Sequence, residues 1–186
     1  MSSIEPEEKI FCIGFHKTGT KSLAAALTEL GYRVHGPAWT QDQQVCRSLD
    51  QLQERAFSVI EAYDAFQDNP WPLLWESLRA SYPKARFILT WREADRWLSS
   101  AVRYFGHQKT PMRALIYGED AASPIGYEQR YLQRYSAHNN AVRAAFKGAE
   151  NFLELNFEQE AGWKALCDFL HKPLPKMPFP HKNKGD

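Results

Sequence analysis

Residues 10–32 read IFCIGFHKTGTKSLAAALTELGY, and the fold turns on how this stretch is read. Residues 10–13 are a compact apolar run between Lys9 and Gly14, the pattern of a buried strand. Leu23, Leu27 and Leu30 then fall at i, i+4 and i+7, one face of a helix closed by Gly31, a natural C′ position. A strand, a glycine-bounded loop and a helix in that order open an α/β unit.

The alternation continues outward. Apolar runs at 57–62 (FSVIEA), 86–91 (RFILTW) and 151–156 (NFLELN) read as further strands, with another expected near 32–34. Helices are expected around 42–54, from Pro72 through Leu74, Trp75 and Leu78, over 94–105, over about 125–147, and in the AGWKALCDFLHK stretch. The tail carries four prolines after residue 172 and cannot form a regular helix. The expected architecture is a single α/β domain over 1–186 with a mainly parallel sheet, and 1–8 and 172–186 as irregular arms. In such sheets ligands bind beyond the C-terminal strand ends, which selects the loops 14–20, 62–70 and 91–96.

Composition narrows the function. With 186 residues, 44% of them hydrophobic, the chain can bury a core without staples. Lys plus Arg number 23 against 22 Asp plus Glu, a net charge of +1 that argues against a nucleic-acid partner. Cys12, Cys46 and Cys167 are isolated and form no CxxC pair, so thiols in a reducing, cytoplasmic compartment are expected and a metal centre is not. The acidic MSSIEPEEK start is unlike a signal peptide, and no window approaches 18 apolar residues, so no membrane span is expected.

Two segments carry anion chemistry. In GFHKTGT, a tight turn feeding a helix gathers backbone N–H groups and the helix's partial positive charge. Phosphate is the natural guest, with Lys17 supplying an ammonium and Thr18, Thr20 and Ser22 hydroxyls; the plainer alternative is a turn that Thr20 caps. Counting from Gly14, a Walker A loop needs Gly-Lys at 19–20, where the chain has Gly19-Thr20 and then Lys21. In RFILTWREADRWLSSAVRYF, Arg92 follows a strand, and Arg96, Ser100 and Arg103 gather on the helix side opposite Trp97 and Phe105. Guanidinium forks of this kind suit phosphate oxygens.

FCIGFHKTGTKSLAAALTELGY together with WREADRWLSS resembles the compact members of the P-loop sulfotransferase family. The resemblance extends through NFLELNFEQEAGWKALCDFL to PFPH, and implies a P-loop three-layer sandwich. It implies transfer of a sulfuryl group from 3′-phosphoadenosine-5′-phosphosulfate (PAPS) to a hydroxyl or amine of a small-molecule acceptor, without a metal. By matching, Lys17, Thr18, Gly19, Thr20 and Lys21, flanked by His16 and Ser22, surround the 5′-phosphosulfate, while Arg92 and Ser100 hold the 3′-phosphate. Arg96 joins that second group from helix geometry alone.

A carboxylate or imidazole must take the acceptor proton. Asp64 and Asp68 lie in the loop where relatives carry acidic residues; Asp68 is favoured because it precedes the Asn69-Pro70 turn, although it also suits a helix cap. His16 and His107 are the rival bases, and His181 and Lys182 lie where the tail can close over the cofactor. Tyr127, Tyr131 and Tyr135 recur every four residues, as a packing stripe or an aromatic acceptor wall. Two other functions remain open on the residues: a P-loop ATP-dependent small-molecule kinase and a non-catalytic nucleotide-binding domain.

Overall fold

The computed structural model describes residues 9–159 and 162–181. Five strands, β1 (Ile10–Cys12), β2 (Val34–His35), β3 (Ala65–Phe66), β4 (Arg86–Thr90) and β5 (Phe152–Leu155), form one sheet in the order β2-β3-β1-β4-β5. Every pairing is parallel, with Ile10 opposite Ala65 on one side and Arg86 on the other. Period-two alternation splits the strands between two faces. Ile10, Cys12 and Ile88 meet Leu23 and Leu27 of α1 (Thr20–Glu29) and Trp163, Leu166 and Leu170 of α7 (Trp163–Leu170). Phe11, Phe66, Phe87 and Leu89 face α2 (Leu49–Phe57), α3 (Trp75–Ser81) and α6 (Glu128–Ala145) through Ala56, Leu78, Val142 and Phe146. The result is a three-layer α/β domain.

A third cluster caps the C-terminal edge of the sheet. Here Phe15, Trp97 of α4 (Ala94–Phe105), Met112 and Tyr117 of α5 (Pro111–Tyr117), and Tyr131 and Tyr135 of α6 pack together. Tyr135 stacks on Trp97 at 4.1 Å and Tyr117 on Tyr131 at 3.5 Å, so the tyrosine stripe is packing.

FSVIEA is not a strand. Leu52, Ala56 and Ile60 fall at i, i+4 and i+8 and are all buried, so this run finishes α2 and the 3₁₀ turn Ile60–Ala62, and the strand follows at β3. The strand expected near 32–34 lies slightly later, at β2. Pro72 sits in a separate 3₁₀ turn, Trp71–Leu73, and α3 begins only at Trp75. Helix α5 was not expected, although Thr110-Pro111 carries its start signal: the Thr110 hydroxyl accepts from the Arg113 N–H and Pro111 takes the first turn. Residues 172–181 contain no helix or strand; residues 1–8 and Lys182 lie outside the described residues.

Candidate active site

The chain leaves β1 toward β2 on one side and β4 toward β5 on the other, so β1 and β4 flank the point where connections diverge. Ligands bind at such a point in parallel sheets. A cavity of about 470 Å³ opens there, lined by residues 16–22, by Asp68 and Asn69, by Arg92 and Ser100, and by residues of α4, α5 and the tail.

The loop after β1 presses against β4. A Cβ on Gly14 would stand 2.2 Å from the carbonyl oxygen and from Oγ1 of Thr90, so only glycine fits. The Thr18 hydroxyl donates to the Phe15 carbonyl at 2.5 Å and therefore accepts from Thr90 Oγ1 at 2.6 Å. The Thr18 side chain thus braces the loop against β4. Lys17 and Gly19 both adopt positive φ, 64° and 99°. Gly19 precedes α1 without a side-chain cap bond, and the helix's own first turn holds no acidic residue, so the nearest carboxylate comes from Asp68 across the cavity. Lys17 Nζ rests 3.5 Å above the Tyr104 ring, and partial burial, together with the like charge of Lys21, lowers its pKa.

Arg92 meets this loop from β4. Its backbone N–H donates to the Tyr135 hydroxyl at 3.0 Å, and that hydroxyl donates back to the Arg92 carbonyl at 2.9 Å. Its Nη1 donates to the Lys17 carbonyl at 3.4 Å, its Nη2 pairs with Glu158, and its buried Nε has no partner among the described residues. Ser100 is buried and lines the same wall. Arg96 is 68% exposed, reaches Glu158 at 3.4 Å and is not part of the cavity lining.

The proposed bases separate clearly. Asp68 lines the cavity, accepting from the Thr20 hydroxyl and from the Asn69 N–H, each at 2.7 Å. Asp64 precedes β3, and in a parallel sheet that is the opposite edge. Its carboxylate is clamped by the Arg33 N–H and guanidinium at 2.7–2.9 Å, which holds it below the usual range and away from the site. His107 is exposed after α4 and does not line the cavity. His16 does line it, but Nδ1 meets Asn69 at 3.4 Å and Nε2 meets Tyr117 at 3.0 Å, and burial pulls its pKa down to about 4. The tail brings His181 to the rim, anchored by Phe179 against Phe157 and Trp163.

Tyr104, Asn69, Glu158 and Arg113 escaped the sequence reading. Tyr104 was findable, four residues beyond Ser100 on one helix face. Glu158 carried no signal, since only the fold brings the turn after β5 to Arg92.

The family described as sulfotransferase domain matches residues 9–120 and 110–186. The chain belongs to the sulfotransferase family. A relative, the Ava biosynthesis cluster protein M of Aspergillus versicolor, is 27% identical over 217 residues, covering 93% of this chain and 80% of that protein. That membership supports a sulfotransferase-type function over a kinase or a non-catalytic domain. Among the described residues no cluster of three His, Cys, Asp or Glu side chains is arranged for a metal, and no helix is long and apolar enough to cross a membrane.

Proposed function

We propose that this sulfotransferase uses PAPS and delivers its sulfuryl group to a hydroxyl or amine of a small acceptor in the same cavity. The observation that carries the reading is the meeting of Lys17 and Arg92 across the sheet's divergence point, Arg92 Nη1 bonding the Lys17 carbonyl. Two cationic anchors on separate loops suit a nucleotide phosphorylated at both ends. The residues present fit that group. Arg92 Nε is a buried donor with no partner among the described residues, Gly19 gives the start of α1 no side-chain cap bond, and about 470 Å³ falls within the usual range for a small-molecule site.

When bound, PAPS supplies an activated sulfuryl group attached to a phosphate leaving group. Lys17 would stand where it can stabilise negative charge on the leaving oxygen, and residues 17–22 would hold the phosphate it belongs to. Arg92 and Ser100 hold the 3′-phosphate, which competes with Glu158 for the guanidinium. Asp68 accepts the acceptor's proton at a carboxylate oxygen. His16 is held neutral with both ring nitrogens engaged, and serves as wall rather than base. The relative's name assigns that protein to a biosynthesis cluster, which suits a small-molecule acceptor.

Calorimetry with adenosine 3′,5′-bisphosphate, ADP and ATP, each with and without Mg²⁺, tests this on wild type and Arg92→Ala. The bisphosphate should bind best, and the substitution should remove about 1.5–3 kcal/mol from its binding alone, the worth of a charge-assisted contact. A magnesium-dependent preference for ATP would overturn the reading.

A further inference from the structure

Arg113 lines the same cavity as Arg92, from a different element. It is 7% exposed, projects from α5, and lines the cavity beside Phe105, Gln108 and Thr110. Nε donates to the Ala122 carbonyl at 3.1 Å and Nη2 to the Gln108 carbonyl, while the Phe105 ring lies 4.4 Å from the guanidinium carbon. Those bonds pin two loops but bring no negative charge. Among the described residues no carboxylate lies within ion-pair distance of Arg113, and Nη1 makes no hydrogen bond.

The titratable groups that act on it most directly are Tyr117 and Tyr131, while Asp68 and Arg134 share its neighbours His16 and Tyr117 without forming an ion pair with it. Tyr117 and Tyr131 have their hydroxyl pKa values raised by burial, and His16 is kept uncharged. A guanidinium held this deep without a counter-ion is costly, and burial lowers its pKa for that reason. If the role were only to hold two carbonyls, a neutral amide would do it at less cost. Arg113 lines the cavity, so a ligand there can supply the missing anion. On the reading above, both anionic ends of the nucleotide are met by the β1 loop and Arg92, which leaves Arg113 for the acceptor.

Resting on that reading, we infer that the acceptor is a hydroxy compound bearing a carboxylate, which Arg113 binds while Asp68 faces the hydroxyl. The planar fork of the guanidinium favours a carboxylate over a diffuse anion, and the Phe105 ring gives the acceptor's carbon skeleton an apolar wall.

Three phenols that share a two-carbon chain and differ in the group that ends it provide the probe: 3-(4-hydroxyphenyl)propionate, its primary amide, and tyramine. Each is titrated into protein saturated with adenosine 3′,5′-bisphosphate. The carboxylate should bind about ten- to hundredfold more tightly than the amide, with tyramine weakest, as a charge-assisted contact predicts. In Arg113→Gln that ranking should vanish while bisphosphate binding persists; Arg113→Lys, which keeps the charge but not the fork, should retain part of it. Equal binding of all three to wild type, or binding of none, with the bisphosphate still bound, overturns the carboxylate assignment and leaves the cofactor reading standing. Failure of the bisphosphate itself to bind overturns both.

Discussion

Asp68 reaches the cavity with its backbone at φ 59°, a left-handed conformation that costs a non-glycine residue of order 1 kcal/mol or more. Its surroundings supply what that geometry needs: Thr20 holds one carboxylate oxygen and the Asn69 N–H the other. The same residue type four positions earlier does different work, because Asp64 lies at the far edge of the sheet under Arg33. Spacing along the chain cannot separate the two, since a two-residue strand lies between them. Asp68→Asn should lower kcat by about 10²–10⁴, the usual worth of a positioned base, with bisphosphate affinity changed by no more than a few-fold. Asparagine has one acceptor oxygen for two donors, so a melting curve should accompany the kinetics. Unchanged kcat in a folded variant would remove Asp68 from the chemistry.

At the scale of elements, the strand-loop-helix unit at the start of the chain was legible because each part is local. An apolar run, glycines at two sterically restricted positions and a leucine stripe need no knowledge of the rest. The segment 86–105 was equally readable as a strand followed by an amphipathic helix. FSVIEA was misread because Ala56 and Ile60 belong to a helical spacing that begins at Leu52, outside the run itself. Helix α5 was missed although Thr110-Pro111 carries a local start signal, and Arg113 because only the fold joins it to the Ala122 and Gln108 carbonyls and the Phe105 ring. The loop's dependence on contact with β4 yields a direct test. In Gly14→Ala the added methyl meets Thr90 backbone, which cannot rotate away as a side-chain end would. The variant should lose about 1–3 kcal/mol, the usual cost of overpacking, and several degrees in Tm. Bisphosphate binding should weaken with it, since Thr90 also holds Thr18. Wild-type stability in the variant would mean that the loop does not lie against β4.

Across the whole molecule, the site is where the sheet's edge meets the aromatic cap, and two buried histidines stand at that junction. His138 donates from Nε2 to the Ile13 carbonyl at 2.7 Å and stacks on Phe15 at 4.3 Å; His16 continues the same loop under Trp97, whose indole N–H bonds the His16 carbonyl at 2.8 Å. Burial pulls both pKa values down to about 4, with Arg134 adding to the effect at His138. In the unfolded chain both titrate near 6.5, so between about pH 6.5 and 4 the unfolded state binds more protons than the native state. Stability must therefore fall as pH drops through that window, by about 2 kcal/mol per histidine at pH 5. Two such groups weigh heavily against a total of roughly 5–15 kcal/mol. Urea unfolding at pH 7.5 and pH 5 separates this from the carboxylates, which also respond to acid. His138→Gln keeps an N–H for the Ile13 carbonyl but cannot titrate, so it should be less stable than wild type at pH 7.5 and lose about 2 kcal/mol less on acidification. Equal losses in the two proteins would mean that His138 is not held neutral by the core, and that the junction of cap and sheet is open to water.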